Sequence, residues 1–306
     1  MRNLFEDIEP DNRSDNSGEG AVHPGNTLND LTGKEWIKAT KSWLVCDSRR
    51  YHQNRDTELH PARYPEELVA EFVRFFTTGD GWVLDPFCGS GATLVAALEE
   101  HRNCIGMEVN RHYVDLSLDR LQAKARDTRT VTDVVHADAR EIAAPGTWER
   151  VEAVPREEDG LPRFDFVMTS PPYWNMLRKS RGGVASTHKR RAAEGLATDY
   201  GDHERNLGSI EDYDEFIEQL GVVFDGCARL LKPQKYMVVV VQNVRVPEGY
   251  VRPLAWDLAR RISRTLSFQG ERIWCQNSKR LGIWGYPTTF VPNYHHHYCL
   301  IFRQQD

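Results

Sequence analysis

Apolar residues along this chain recur first at helical spacing and then in short runs separated by amphipathic stretches. From Pro65 to Phe76, the residues Leu68, Val69, Phe72, Phe75 and Phe76 fall on one helical face, and Gly79-Asp80-Gly81 ends that helix. Buried-strand runs follow at Trp82–Leu84, Cys104–Met107, Asp133–His136, Phe164–Met168 and the wholly apolar Tyr236–Val241. Between and behind them, Ala92–Glu100, Arg111–Arg126, Asp212–Leu231 and Pro253–Leu266 read as helices. A shorter helical start lies around Lys34–Thr40, and Arg272–Cys275 and Tyr298–Phe302 close the chain as two further strands. Strands alternating with helices require a mostly parallel sheet covered on both faces, because parallel neighbours are joined only by long crossovers. The expected fold is α/β, a doubly wound, mostly parallel seven-stranded sheet.

Composition alters this picture at the ends and in one internal stretch. Met1 to about Asp30 is rich in Asp, Glu, Asn, Ser and Gly with few apolar residues, which predicts a disordered or loosely attached acidic arm. Residues 31–306 then form one domain, with 174–209 a polar, basic insertion. The longest apolar run is too short for a bilayer span, and no basic-then-apolar leader opens the chain. Six scattered cysteines, without Cys-x-x-Cys or metal-ligand spacing, fit free thiols in a reducing cytoplasm. A net charge of −6 argues against a surface that grips nucleic acid all over. Any such contact must be local.

In doubly wound sheets, ligands bind beyond the carboxyl ends of the strands. There lies Asp85-Pro86-Phe87-Cys88-Gly89-Ser90-Gly91, a strand, a glycine turn and a helix start. Gly89 and Gly91 allow close backbone approach, and the helix amino end offers free N–H groups. Leu94 holds the place of the third glycine in the dinucleotide fingerprint, which counts against NAD. Asp85 is placed to face a cationic ammonium group. Glu108, ending the second strand, is placed to hold both hydroxyls of a ribose. Either Glu108 or Asp138 alone is equally consistent with a strand cap; together with the turn they favour a nucleoside-containing ligand.

The fourth strand runs into Thr169-Ser170-Pro171-Pro172-Tyr173-Trp174. Two prolines cannot extend a ladder and fix a rigid turn, leaving the carbonyls of Ser170 and Pro171 as acceptors for an amino group. Tyr173 supplies a flat face on which a base could stack.

These two segments resemble the cofactor and catalytic motifs of amino-group (cytosine-N4 and adenine-N6) DNA methyltransferases. His60-Pro61-Ala62-Arg63-Tyr64-Pro65-Glu66-Glu67-Leu68 is similar to the segment that closes over the methionine end of the cofactor in that family. The resemblance implies a Rossmann-like methyltransferase fold with S-adenosylmethionine as cofactor. It implies that Tyr64, Pro65, Asp85 and the backbone of Pro86, Phe87, Cys88, Gly89 and Gly91 hold the methionine portion, Glu108 the ribose and Asp138 the adenine amino group. Ser170, Pro171, Pro172 and Tyr173 would then hold a target base flipped out of double-stranded DNA. Ser-Pro-Pro-Tyr is more usual among cytosine-N4 enzymes and Asp-Pro-Pro-Tyr among adenine-N6 enzymes, so N4 is favoured. Here the cofactor motifs precede the catalytic one, as if a chain of the opposite order had been circularly permuted, which leaves the target-recognition region unplaced. A cognate restriction endonuclease is a candidate partner.

A cytosine-C5 mechanism would need a thiolate nucleophile, usually in a Pro-Cys context, and no Pro-Cys pair occurs. Arg178, Lys179, Arg181, Lys189, Arg190 and Arg191 directly follow the catalytic turn and are candidates for phosphate contact, with Arg49, Arg50 and Arg55 weaker ones. In the cluster His295-His296-His297 only the outer two share a strand face, and no acidic or Cys partner has ligand spacing, so a metal site is not favoured. Those residues, with Asn293 and Tyr294, are candidates for the rim of the site. Adenine-N6 transfer, methylation of RNA, and a catalytically silent nucleic-acid- or cofactor-binding module are the competing readings.

Overall fold

A computed structural model describes residues 20–47, 64–124, 129–174, 206–246, 248–279, 281–283 and 285–305. In chain order these form α1 (Gly33–Ala39), β1 (Trp43–Val45), α2 (Glu66–Phe76), β2 (Trp82–Asp85), α3 (Ala92–Glu99), β3 (Asn103–Glu108), α4 (Arg111–Lys124) and β4 (Thr132–His136). There follow β5 (Phe164–Thr169), α5 (Tyr213–Leu230), β6 (Leu231–Val241), the short pair β7 (Val244–Arg245) and β8 (Val251–Arg252), α6 (Leu254–Ile262), β9 (Ser267–Cys275) and β10 (His296–Arg303).

One sheet of eight strands, in the order β1-β9-β10-β6-β5-β2-β3-β4, organises the protein. All its pairings are parallel except those of β10 with β6 and with β9. The period-2 alternation of strands divides the core into two layers. Val83, Phe166, Val238 and Cys299 face α2, α3 and α4, whereas Leu84, Val167, Val239 and Leu300 face α5, α6 and the segment around Trp148. Seven of the eight residues of α3 are buried, as befits a helix pressed on the sheet between α2 and α4. The aromatic face of α2 packs directly on strands, with the Phe76 ring 5.2 Å from Phe166 and 4.8 Å from Tyr236. No helix among the described residues is long and apolar enough to cross a membrane.

The fold class agrees with the sequence reading, and the strand count is one higher. The extra strand is β1, registered parallel on β9 with Trp43 opposite Ile273; only Leu44 of its three residues is buried, so it has no run to read. β6 and β9 begin earlier than hydropathy suggested because their first turns of strand are polar. Lys232 is held there by an ion pair to Asp165 at 2.9 Å. Within the expected acidic arm, residues 1–19 lie outside the described part. Residues 20–30 are anchored against α2 and its exit: the Asn29 amide donates to the Phe75 carbonyl at 2.6 Å, and the Gly79 N–H donates to Asp30 at 2.7 Å.

Candidate functional site

From β2 the chain winds outward through β3 and β4, then returns to β5 on the other side of β2 and winds the opposite way through β6. Connections leave on opposite faces at this point, so a cleft opens beyond the carboxyl ends of β2 and β5. The space within it, counted with the solvent at its open mouth, is about 850 Å³. It is lined by Pro86 to Ser90 and Ala92 after β2, by Met107, Glu108 and Val109 at the end of β3, and by Tyr113 of α4. Ala137, Asp138 and Ala139 after β4, Ser170 and Pro172 after β5, and Tyr64, Asn206 and Leu207 complete it.

Asp85 sits beneath this cleft and is only 1% exposed. One carboxylate oxygen accepts from the Phe87 N–H at 3.0 Å and from the Thr169 hydroxyl at 2.6 Å. The other accepts from the Tyr64 hydroxyl at 3.0 Å and from the Thr93 hydroxyl. A carboxylate offers about four acceptor sites, and here all are taken. Burial raises its pKa and the donors oppose that rise. Asp85 is not among the residues that line the cleft, and its bonds tie β2, β5, α3 and Tyr64 into one floor. Above it, Gly91 begins α3 with φ +78°, and a Cβ there would lie 3.1 Å from that of Ser117. Only glycine lets the turn settle on α4 in that conformation. Ser90 lines the cleft with a buried hydroxyl that has no partner among the described residues.

Glu108 presents the opposite case. Its carboxylate accepts from the Gly89 N–H at 3.0 Å and from the Asn110 N–H at 2.8 Å. The Val109 N–H also bears on this carboxylate, and whatever acceptor capacity these donors leave belongs to a side chain that lines the cleft. Burial pushes its pKa up to about 7, against the pull of the backbone N–H donors. Asp138 also lines the cleft, but Arg140 grips it from behind, with guanidinium contacts at 2.6 and 3.1 Å and its own N–H at 2.9 Å.

At the end of β5, the Ser170 hydroxyl lies 3.0 Å from the Tyr173 hydroxyl, which in turn donates to the Val240 carbonyl of β6 at 3.4 Å. Either hydroxyl of the Ser170–Tyr173 contact can donate; with the Tyr173 proton on Val240, Ser170 donates to Tyr173 and keeps its lone pairs as acceptors. Tyr173 is 6% exposed, its pKa raised by burial, and its ring lies 6.2 Å from that of His297. The open stacking face expected of it is therefore not displayed by the described residues. His297 stacks on Trp274 with ring centres 4.4 Å apart, and burial holds its imidazole down to about 3, so it is neutral. Both ring nitrogens of His295 face main-chain carbonyls, of Asn293 and Lys279, at 2.9 Å. Cys88 is buried in the turn with its thiol pushed well up by desolvation and by Glu108 and Asp85, the wrong direction for a nucleophile.

Of the residues singled out from sequence, Tyr64, Pro86, Phe87, Cys88, Gly89, Glu108, Asp138, Ser170 and Pro172 meet in one cleft, whereas Pro65, Asp85, Gly91, Pro171 and Tyr173 do not line it. The six basic residues Arg178, Lys179, Arg181, Lys189, Arg190 and Arg191 lie outside the described residues, as do Arg49, Arg50, Arg55 and the His60–Arg63 part of the closing segment. Sequence reasoning missed Ser90, Tyr113, Asn206 and Leu207. Ser90 was within reach as the residue between the two glycines. Asn206 carries a cap signal, its side chain accepting from the Gly208 N–H at 2.9 Å, but nothing local places it beside a turn more than a hundred residues earlier.

A family model described as DNA methylase, and named for N6 and N4 methyltransferases, matches residues 9–119 and 164–306. Among curated relatives, Type II methyltransferase M.ScaI of Streptomyces caespitosus is 36% identical over 67 residues, 22% of this chain and 22% of that protein. Type II methyltransferase M.BglI of Bacillus subtilis is 37% identical over 97 residues, 31% of this chain and 27% of that protein. The matched stretches thus span about a quarter of those relatives' length. Among solved structures, TrmN from Thermus thermophilus aligns with a TM-score of 0.44 and 13% identity, over 78% of this chain and 48% of that one.

Proposed function

The chain belongs to the DNA methylase family of N6 and N4 methyltransferases, and on that premise we propose that it transfers a methyl group from S-adenosylmethionine to the exocyclic N4 amino group of cytosine in double-stranded DNA. The observation that carries this reading is the meeting of Glu108, the orphan hydroxyl of Ser90 and the acceptor-presenting Ser170 in one cleft. The first two fit the cofactor. Two vicinal ribose hydroxyls match the acceptor capacity that Glu108 offers to the cleft, and a further polar group of the ligand can satisfy Ser90. Asp138, already paired with Arg140, has its edge directed by that grip toward the adenine amino group. Pro86 to Gly89 hold the remainder by close backbone approach.

Bound there, S-adenosylmethionine supplies an electrophilic methyl group on its sulfonium. The protein's task is to make a poor nucleophile adequate. An exocyclic amino nitrogen shares its lone pair with the ring, and an acceptor at Ser170 in the cleft, with the Pro171 carbonyl of the same turn as the second once the base is seated, would draw its two N–H bonds out of the ring plane. That frees the lone pair and fixes its direction, so catalysis is positioning and electrostatics, without a covalent enzyme intermediate. A base within a duplex cannot reach the cleft, so the target is flipped out. The basic stretch from Arg178 to Arg191 holds the phosphates of the opened strand in this scheme. A cognate restriction endonuclease is the candidate partner.

The cytosine-N4 choice rests on Ser170 standing where adenine-N6 enzymes more usually carry Asp. The test is to incubate the protein with S-adenosylmethionine and unmethylated duplex DNA, digest the DNA and identify its nucleosides by mass spectrometry. N4-methylcytosine is the expected product. N6-methyladenine would overturn the base and keep the reaction; transfer to RNA alone would overturn the substrate.

A further inference from the structure

The loop between β9 and β10, residues 276–295, carries the four most exposed large apolar side chains among the described residues. Leu281, Ile283, Tyr286 and Phe290 are 79, 86, 83 and 86% exposed. Single surface hydrophobes are ordinary, but four within one short segment mark a contact surface. The loop is also built rather than slack. Asn293 closes its stem by accepting from the Gly282 N–H at 2.9 Å and donating to the Gly282 carbonyl at 3.0 Å. Below that, the Lys279 ammonium donates to the Tyr294 carbonyl at 2.7 Å. At the tip, the N–H groups of Thr288 and Thr289 donate to the Gly285 carbonyl at 2.9 and 2.7 Å. Gly285 has φ +72°, and a Cβ on it would meet the Thr289 carbonyl oxygen at 2.2 Å, so the turn tolerates no other residue. Bonded polar groups hold the stem while the apolar side chains point away from the protein.

The topology decides what this surface faces. β10 is antiparallel to both β6 and β9, and β6 is parallel to β5, so β9 ends at the same edge of the sheet as β5. The loop therefore rises from the edge that bears Ser170. Two strands, β10 and β6, separate β9 from β5, a lateral offset of about 14 Å at ordinary strand spacing. That is less than the width of a duplex. The returning strand also feeds the site directly, since His297 near the start of β10 lies 6.2 Å from Tyr173. A duplex that delivers a base to Ser170 is wide enough to reach this loop at the same time.

We propose that Leu281, Ile283, Tyr286 and Phe290, on the connection from β9 to β10, form the apolar wedge by which the protein enters the base stack of duplex DNA when the target base leaves it. This rests on the methyl-transfer reading above. Lys279 is spent on the Tyr294 carbonyl at the stem, and the side chains held outward, Leu281, Ile283, Tyr286 and Phe290, are aliphatic and aromatic, which suits the faces of bases exposed by unstacking. Filling the vacated space offsets the cost of extrusion and keeps the base from returning. Because the stem is fixed before binding, little ordering cost is added on contact.

The test uses the full chain with the paired substitution Tyr286→Ser and Phe290→Ser, and separately Leu281→Ser with Ile283→Ser. Neither pair touches the cleft, so affinity for S-adenosylhomocysteine by calorimetry and the thermal midpoint should stay at wild-type values. On unmethylated duplex DNA of mixed sequence, kcat/KM should fall by about 20-fold or more. The methylated sites recovered from that DNA give an oligonucleotide duplex, and an abasic position opposite the target base removes the pairing that must be broken. On that duplex the variants should return to within about threefold of the wild type. An undiminished rate on intact duplex would overturn the wedge, and so would a loss that persists on the pre-opened one. A wild type that is dimeric, with monomeric variants, would make the loop a contact between two copies and overturn it equally. If the wild type methylates no DNA, the functional reading itself fails; if it does and the variants match it, only the wedge fails.

Discussion

Two adjacent strands, β2 and β3, each end in a carboxylate, and the two do opposite work. At Asp85 the protein supplies four donors, the hydroxyls of Tyr64, Thr93 and Thr169 and the N–H of Phe87. At Glu108 it supplies main-chain N–H groups alone, those of Gly89 and Asn110 with that of Val109 beside them. The residue class and the position at the strand end are nearly the same. What separates the two acids is how many donors each has already met and whether the side chain lines the cleft. A filled carboxylate fixes the floor so that the cleft-lining one stands in a definite place above it.

The largest effect expected from this contrast is on stability. Asp85→Ala leaves three hydroxyls and an N–H in the core without their acceptor. Some of these can pair with one another once their protons are freed, since the Tyr64 and Thr93 hydroxyls are in contact, so the loss should be about 4 kcal/mol, read as a lowered urea midpoint. Asp85→Asn keeps one acceptor and should cost about 1 kcal/mol. Full stability in the alanine variant, with cofactor binding impaired instead, would place Asp85 among the ligand contacts and erase the distinction. Glu108→Gln should do the reverse. With one acceptor oxygen gone and the charge removed, the dissociation constant for S-adenosylmethionine should rise about 10- to 100-fold, with little change in midpoint. Equilibrium dialysis measures the first and denaturation the second.

How these residues could be read beforehand follows from the same contrast. The strands with continuous apolar runs, such as Tyr236–Val241, and the helices with a clear face, such as α2, were visible because burial writes itself into local periodicity. The glycine turn, Glu108 and the Ser170 turn were visible because each combines residue types that backbone geometry restricts. β1 was not, because one buried Leu44 between two exposed neighbours has no pattern and owes its pairing to β9 more than two hundred residues away. Nor was the sealing of Asp85. Thr93, Thr169 and Tyr64 are unremarkable one by one, and nothing in their spacing shows that they converge. A strand-end acid can be recognised from sequence; the number of donors it has already met cannot.

A third, intermediate effect concerns pH. Burial lifts Glu108 to about 7 in the free protein, and only its ionised form can accept from both ribose hydroxyls. Binding must therefore remove a proton below that value and needs none above it. Affinity for S-adenosylmethionine should be flat above pH 7 and weaken by about tenfold per unit below it. Glu108→Gln should abolish that slope. A slope that survives the substitution would assign the titration to another group and weaken the claim that Glu108 is the open acid of the pair.

The smallest effect tests whether the same rule of filled and open sites governs the catalytic turn. Ser170 is useful to an amino group only as an acceptor, and a serine hydroxyl is equally able to donate. Its proton must be occupied elsewhere, and the 3.0 Å contact with Tyr173 occupies it, provided Tyr173 spends its own proton on Val240. Burial raises the pKa of the phenol, so it keeps that proton. Tyr173→Phe frees the Ser170 hydroxyl to turn its proton toward the target nitrogen, where it would compete for the lone pair required for transfer. The substitution should lower kcat by about fivefold while leaving KM for DNA and the cofactor dissociation constant unchanged. The double variant with Ser170→Ala should be no slower than Ser170→Ala alone, because Tyr173 acts on the reaction only through Ser170. Additive losses in that cycle would mean that Tyr173 touches the base itself, and its ring, enclosed beside His297, would have to open toward the cleft when DNA arrives.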